Sequence, residues 1–192
     1  MHLSASELVL IRHAPARTDG RLCGRHDVPA LLVDAQALAR CRGALAGVRS
    51  VVTSPALRCR QTAKALFPRQ ELAQDARLWE QDFGLEDGML LADLPDLGVL
   101  SREALATRRP PQGESFADMA ARAVPALNVW ADKAEAQGPV AIVAHAGTIR
   151  AALGSALGDI PAALAFEIAP LSITRLRCLP GTISIIGVNL VV

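Results

Sequence analysis

The sequence lacks both the long apolar run that a membrane span requires and the strong net charge that favours binding to nucleic acid or anionic lipid. No apolar stretch approaches the roughly 20 residues that cross a bilayer, and the formal net charge of the 192 residues is only +1. The first residues contain no basic leader and no small-residue cleavage site. We therefore expect a cytoplasmic protein that binds neither nucleic acid nor membrane.

Lysine and cysteine are also scarce. Lys64 and Lys133 are the only lysines, so arginine supplies nearly all of the positive charge and indicates a phosphate site only through its position. The sequence has four cysteines and no C-x-x-C spacing: Cys23, Cys41, Cys59 and Cys178. Disulfide frameworks and zinc sites use closer or patterned spacings, which predicts four reduced thiols here.

Apolar residues make up 51% of the chain, and its length suits one α/β domain with a well-packed core. Short β-prone runs alternate with helical patterns: the runs are residues 7–11 (ELVLI), 48–53 (VRSVVT) and 140–144 (VAIVA), and the helical patterns are residues 34–45, 54–66, 115–137 and 148–157. Ser54 is expected to cap the second helix, with Pro55 at its first position. This alternation predicts a three-layer α/β/α sandwich around a largely parallel central sheet.

Two parts of the chain fall outside this alternation. Residues 172–178 and 182–189 alternate apolar and polar side chains around Pro180-Gly181, which predicts a β-hairpin at one side of the sheet. Residues 81–115 carry scattered prolines and glycines and one short helical pattern at about residues 100–107. We interpret residues 81–115 as an excursion from a single domain that spans residues 1–192, and we expect this excursion to lie near the functional site.

Three of the predicted strands end at residues that suit phosphate chemistry. Arg12 and His13 follow the first strand, Arg58 lies one turn into the helix after the second, and His145 follows the third. Ligands of open α/β sheets bind beyond the carboxyl ends of the strands. We therefore expect these side chains to meet in one crevice.

Displacement at a phosphate monoester needs three kinds of group. Arginine supplies charged forks that match phosphoryl oxygens, here Arg12 and Arg58. A neutral imidazole attacks phosphorus and forms a phosphohistidine that water later resolves. A carboxylic acid protonates the leaving oxygen, and Glu80, in the polar stretch 78–84 (LWEQDFG), is the candidate. Each of these residues alone more commonly has a structural role, whereas their order along the chain favours a shared site.

Five segments resemble, in the same order, the motifs of the histidine phosphatase superfamily, which includes the cofactor-dependent phosphoglycerate mutases. They are residues 10–14 (LIRHA), 53–63 (TSPALRCRQTA), 78–84 (LWEQDFG), 113–116 (GESF) and 143–150 (VAHAGTIR). The resemblance implies a phosphoglycerate mutase-like fold, His13 as the phosphorylated nucleophile, and Glu80 as the proton donor. It also implies a phosphate pocket of Arg12, Arg58 and His145, and no metal or organic cofactor.

A narrower resemblance concerns the substrate. Residues 23–29 (CGRHDVP) look most like the corresponding segment of the α-ribazole phosphatases of cobalamin biosynthesis. We therefore expect a small phosphorylated metabolite as the partner, with α-ribazole phosphate as one candidate. Arg25 and Ala146 are expected to contact this substrate beside the phosphate pocket.

Two residues depart from the family motifs, because Ala14 and Ala146 stand where the motifs have glycine. Alanine resists positive φ and crowds close backbone approach, so we expect a trimmed pocket or a lower activity. Two alternatives to a phosphomonoesterase stay open. One is a phosphoglycerate mutase-type phosphoryl transferase, which this short chain leaves little room for. The other is a catalytically weak, phosphate-binding regulatory module, against which the retained arginines, histidines and glutamate argue.

Overall fold

The structure, a computed structural model, describes residues 3–192. In chain order its strands and α-helices are β1 Glu7–Arg12, α1 Ala35–Ala44, β2 Ser50–Thr53, α2 Leu57–Leu66, β3 Leu72–Gln74, α3 Arg102–Thr107, α4 Phe116–Gln137, β4 Val140–Ala144, α5 Ala146–Leu157, β5 Ile173–Leu179 and β6 Thr182–Leu190. Short 3₁₀ helices occupy Ala76–Leu78, Gly84–Glu86, Leu91–Asp93 and Pro161–Ala165. None of the helices among these described residues is long and apolar enough to cross a membrane.

One six-stranded sheet runs in the order β3-β2-β4-β1-β5-β6. The pairs β1–β4, β2–β4 and β2–β3 are parallel, and the hairpin of β5 and β6 adds antiparallel pairs beyond β1. The largely parallel sheet and the hairpin at one side of it are therefore as the sequence predicts.

Apolar residues cover both faces of the sheet, because successive side chains of a strand point to opposite faces. In β1, Leu8 and Leu10 join the core beneath α4 and α5, whereas Val9 and Ile11 join the core beneath α1 and α2. Two buried cores separated by one sheet make the predicted three-layer α/β/α sandwich.

Three of the five α-helices in residues 3–192 begin at a residue whose side chain caps the helix. Ser115 and Asp118 form a capping box, in which the Ser115 Oγ accepts from the Asp118 N–H and the Asp118 carboxylate accepts from the Ser115 N–H. Asp34 caps α1 through the Ala37 N–H. The helix predicted at about residues 100–107 forms at Arg102–Thr107, with Ser101 as its cap.

The start of α2 differs from the prediction. The helix begins at Leu57 with Ala56 in the cap position, so the expectation that Ser54 caps it and Pro55 opens it is wrong. The Asp27 carboxylate, from a distant loop, accepts from the Leu57 N–H at 2.7 Å instead. Ser54 is therefore not the N-terminal cap of α2.

Two further differences are small. The short edge strand β3 forms where the sequence shows only a loose pattern, because it pairs with β2. Helix α5 begins at Ala146, two residues before the predicted Thr148.

Candidate active site

The sheet brings the ends of three strands side by side. Strand β4 lies between β1 and β2, and the ladders continue one residue past the strands. The His13 N–H donates to the Ala144 carbonyl at 2.9 Å, and the Ser54 N–H donates to the Val143 carbonyl at 3.0 Å. The residues that follow β1, β2 and β4 are therefore fixed next to one another by backbone hydrogen bonds.

His13 is held as a neutral imidazole with one nitrogen available. Its side chain is buried, with 8% exposed, and its Nδ1 lies 2.7 Å from the Ala14 carbonyl oxygen. Since a carbonyl only accepts, Nδ1 carries the proton and Nε2 keeps its lone pair. Burial, aided by the charges of Arg58 and Arg12, lowers the pKa of His13 to about 3.

His145 lies against His13, with ring centroids 5.3 Å apart and an edge-to-face geometry. Its Nδ1 faces the Arg58 Nη2 at 3.3 Å, and its Nε2 is 2.8 Å from the Ser54 Oγ. A guanidinium only donates, which assigns the proton of His145 to Nε2. Burial first, then the charges of Arg58 and His13, lower the pKa of His145 well below its usual value.

Arg58 is almost fully buried, with 1% of it exposed. Its guanidinium donates to backbone carbonyls of a single loop, at 2.8 Å to Gly24, 3.2 Å to Cys23 and 3.3 Å to His26. The Asp27 Oδ1 lies 4.0 Å from the Arg58 Nη1, which makes a long ion pair. The guanidinium is thus held in place without a close anion to cancel its charge.

Arg12 is the second cation of the site. Its Nη1 donates to the Ile168 carbonyl, and within residues 3–192 its buried Nε has no hydrogen-bond partner. Burial lowers the pKa of Arg12, the nearby Glu80 carboxylate raises it, and the charges of Arg150 and Arg58 lower it again. A half-buried guanidinium with an unused, buried N–H suits an anionic ligand.

The Glu80 side chain contacts the start of α5, the helix that follows His145. Its Oε2 accepts from the Gly147 N–H at 3.2 Å, at the first turn of α5. A Cβ at position 147 would lie only 2.1 Å from the Glu80 Oε1, so this contact requires glycine. Arg122 of α4 fixes the preceding chain by donating to the carbonyls of Trp79 and Glu80 at 3.1 and 3.3 Å.

Arg25 and Ala146 lie at the rim of the site. The Arg25 guanidinium sits 5.3 Å from the centre of the Trp79 ring and 3.9 Å from the Glu114 carboxylate. The Trp79 ring lies nearly parallel to His145, with centroids 6.4 Å apart. The structure therefore links Arg25 to the histidines through an aromatic ring.

Neither departure from glycine strains the backbone. Neither Ala14 nor Ala146 has a positive φ. Ala14 is fully buried, and its N–H donates to the Thr62 Oγ1 at 3.0 Å. The expected difficulty with positive φ therefore does not arise at either position.

A cavity of about 230 Å³ opens next to Glu80. The excursion of residues 81–115 and the first turn of α5 both contribute to it, and most of its lining is apolar: Glu80, Gln81, Phe83, Leu97, Leu105, Arg108, Phe116, Ala146, Gly147, Arg150 and Leu164. Arg108 is ion-paired with the buried Glu86. The cavity thus has mostly apolar walls and one carboxylate, and it adjoins the histidine site through Glu80 and the first turn of α5.

Several contributors escaped the sequence analysis. The sequence places Ser54 at a strand end and predicts it as a helix cap, and it gives Trp79 and Gly147 only as members of motifs, so no contact of these three residues with another site residue is predicted. A signal was present for Gly147, since this glycine is retained where its neighbour is Ala146. Ser54 and Trp79 act through contacts with His145, about 90 and 65 residues away, which no local pattern encodes.

Within residues 3–192 no group of three or more His, Cys, Asp or Glu is placed to hold a metal ion, and all four cysteines are free thiols.

Known structures show the same fold. A mycobacterial glucosyl-3-phosphoglycerate phosphatase, solved in complex with VO3, is 26% identical with a TM-score of 0.84, over 96% of this chain and 99% of that one. A structure described as mycobacterial hydrolase 1 is 27% identical with a TM-score of 0.85, over 98% of this chain and 100% of that one. The α-ribazole phosphatase of Shigella flexneri, at 18% identity and a TM-score of 0.82 over 96% of each chain, supports the fold.

Sequence comparison identifies the family. A search among curated proteins finds no match. The family model of the histidine phosphatase superfamily (branch 1), however, matches residues 8–191, nearly the whole chain. The chain therefore belongs to the histidine phosphatase superfamily.

Proposed function

We propose that the protein is a phosphomonoester hydrolase that works through a phosphohistidine at His13. The observation that carries this proposal is the state of His13, which is neutral, oriented by its Nδ1 hydrogen bond and flanked by the buried Arg58 and the half-buried Arg12. A neutral imidazole nitrogen is a nucleophile, whereas a protonated one is not. With a pKa of about 3, His13 is in the reactive form at neutral pH.

The phosphoryl group would lie between Arg12, Arg58 and His145. The two guanidinium groups supply fixed positive charge where negative charge develops in the transition state. His145 would contribute by accepting from the Arg58 guanidinium through its Nδ1, which helps to hold that cation beside the phosphoryl oxygens. The similar mycobacterial phosphatase was solved with VO3, an oxyanion of similar shape and charge to phosphate, which supports an anion site of this kind.

Glu80 is proposed as the proton donor. In the first step the His13 Nε2 forms a bond to phosphorus, the bond from phosphorus to the leaving oxygen breaks, and Glu80 gives its proton to that oxygen. In the second step Glu80 takes a proton from water, the water oxygen bonds to phosphorus, and the His13 Nε2 leaves. Glu80 suits this double role because it lies between the phosphate site and the cavity that would receive the leaving group.

The substrate is proposed to be a small phosphorylated metabolite. The cavity of about 230 Å³ is smaller than the roughly 300–1,000 Å³ pockets that hold drug-sized ligands. We place the leaving group there, within a single domain whose excursion forms one wall. Ala146 lines this cavity, and Arg25 lies against Trp79, whose ring is stacked near His145. Both residues are proposed as substrate contacts.

The test is a chemical trap. Rapid quenching with a radiolabelled phosphate ester should leave acid-labile, base-stable label on His13, and none in His13→Ala. A substrate panel should contain α-ribazole phosphate, glucosyl-3-phosphoglycerate, phosphoserine and a nitrophenyl ester. Stable labelling of another residue would contradict the mechanism, and a requirement for a bisphosphate primer would indicate a mutase.

A further inference from the structure

The loop of residues 23–26 holds Arg58 through its carbonyl groups, as described above, and its N–H groups have a different partner. The Asp87 carboxylate accepts from Gly24 at 3.0 Å, from Arg25 at 2.6 Å and from His26 at 3.1 Å. One carboxylate of the excursion therefore binds three successive N–H groups of the loop that cradles Arg58.

The N–H and C=O groups of a peptide unit move together, since the unit is planar. The Gly24 N–H shares its peptide unit with the Cys23 carbonyl, and the Arg25 N–H shares its unit with the Gly24 carbonyl. By binding these two N–H groups, Asp87 fixes two of the carbonyls that accept from the Arg58 guanidinium. A carboxylate is a strong acceptor for backbone N–H groups. Asp87 therefore binds the loop, and the same loop binds Arg58.

The packing around this loop makes the link stiff. A Cβ at Gly24 would lie 2.1 Å from the Gln81 carbonyl oxygen, so the loop rests directly on the excursion. Just before the loop, the Leu22 carbonyl accepts from the Gly88 N–H at 2.8 Å, and the Leu22 N–H donates to the Met89 carbonyl at 2.9 Å. In this contact between the excursion and the loop of residues 23–26, the Asp87 carboxylate supplies a charged acceptor for the loop.

We propose that Asp87 is a positioning residue that holds Arg58 in the geometry for phosphoryl binding. The arrangement separates two tasks. Neutral carbonyls of the loop orient the Arg58 guanidinium and leave its charge available for the phosphoryl group. The Asp87 carboxylate holds the loop through its N–H groups and does not itself bind the guanidinium. This inference rests on the proposed function, because it takes Arg58 to bind the phosphoryl group.

Orthovanadate binding tests the proposal without turnover. Titration of the 192-residue chain should show that Asp87→Ala raises the Kd for orthovanadate about tenfold, as for outer partners of other bound ions. The same substitution in an Arg58→Ala background should change the Kd by less than about twofold, because residues that act through one another are not additive. Asp87→Asn keeps the size of the side chain and one acceptor oxygen, so its effect should be smaller than that of Asp87→Ala.

Controls separate positioning from general stability. Asp93, an exposed carboxylate of the same excursion, should give an unchanged Kd as Asp93→Ala. If Arg58→Ala does not fold, Arg58→Lys serves as the second background. An equal rise in Kd in both backgrounds, a lowered Tm with an unchanged Kd, or no vanadate binding by the unmodified protein would each overturn the proposal. Phosphatase assays on the same samples report separately on the proposed function, which can fail while an Asp87-dependent Kd remains.

Discussion

The phosphate end of the site and the excursion are built in opposite ways. His13, Arg58 and His145 lie at strand ends or in a first helical turn and are less than a tenth exposed. The excursion of residues 81–115 instead consists of 3₁₀ turns, loops and one six-residue helix. Its exposed apolar side chains include Leu85, Leu91 and Val99, each more than half exposed.

This difference has a physical cause. Backbone at the end of a parallel ladder is fixed on both sides by hydrogen bonds, so the side chains that follow keep a defined geometry. Phosphoryl transfer needs such geometry, because misplaced donors lose most of their effect. The choice of leaving group needs only a wall of suitable shape, which loops supply and tolerate changing. We therefore expect substitutions at the phosphate end to alter the rate, and substitutions in the excursion to alter substrate preference.

Replacing the nucleophile should have the largest effect. His13→Asn removes the attacking nitrogen, and by analogy with other nucleophiles the loss in kcat should be on the order of 10⁴–10⁶-fold. Single-turnover assays with a nitrophenyl ester measure it. Residual activity within tenfold of the original enzyme would place the nucleophile elsewhere.

Glu80→Gln should separate leaving groups. An alkyl phosphate needs a proton in the transition state, so its phosphorylation step should slow by about 10²–10⁴-fold, whereas a nitrophenyl ester should lose distinctly less. Single-turnover rates are required, because Glu80 is also proposed to activate water. Asp82→Asn is the matched control, since the Asp82 Oδ1 accepts from the Gly84 N–H within the excursion. Equal losses on both esters would deny Glu80 the role of acid.

Arg58→Ala should reduce kcat/KM by about 10²–10³-fold, the usual cost of one donor to a developing oxyanion. Arg60→Ala, two residues along the same helix and exposed, should leave kcat/KM unchanged. If Arg58→Ala lowers Tm while kcat/KM per folded molecule stays normal, Arg58 has a structural role only.

The buried histidines should make stability depend on pH. The pKa of His13 falls from 6.5 to about 3 on folding, so below pH 6.5 the unfolded chain binds a proton that the folded chain does not. The free energy of unfolding therefore decreases as the pH falls from 6.5 towards 3, by about 2 kcal/mol between pH 6.5 and 5 from one such histidine. Urea unfolding of the original chain and His13→Asn at both pH values measures the difference. If the free energy of unfolding changes equally with pH in both proteins, His13 is not held neutral in the folded state.

The smallest effect is expected in the excursion. Leu97 lines the cavity and is 41% exposed, so Leu97→Ser should change the free energy of unfolding by no more than about 0.5 kcal/mol. It should change the ratio of kcat/KM between a bulky and a small ester by less than about tenfold. Val99→Ser, fully exposed and outside the cavity lining, is the control. An effect of Leu97→Ser on kcat for all esters alike would remove the distinction between the two regions.

The layers and the strand ends can be predicted from the sequence alone. Apolar periodicity is local, so strands β1, β2 and β4 and the helices between them could be predicted from neighbouring residues. The positions of Arg12, His13 and His145 directly after strands then placed them at one edge of the sheet, and the family motifs added Arg58 and Glu80.

The contacts by which these residues hold one another depend on the tertiary structure. Glu80 meets the N–H of Gly147 across 67 residues of chain, and Ser54 turns from its expected helix cap to His145 across 91 residues. Asp87 fixes the loop that holds Arg58 from 61 to 63 residues away. The capping pattern at Ser54 pointed to the wrong partner because Asp27 satisfies the first turn of α2 from a distant loop. Such contacts depend on which strands lie side by side, and the order of strands in a sheet is set by packing of the whole chain rather than by any local pattern of residues.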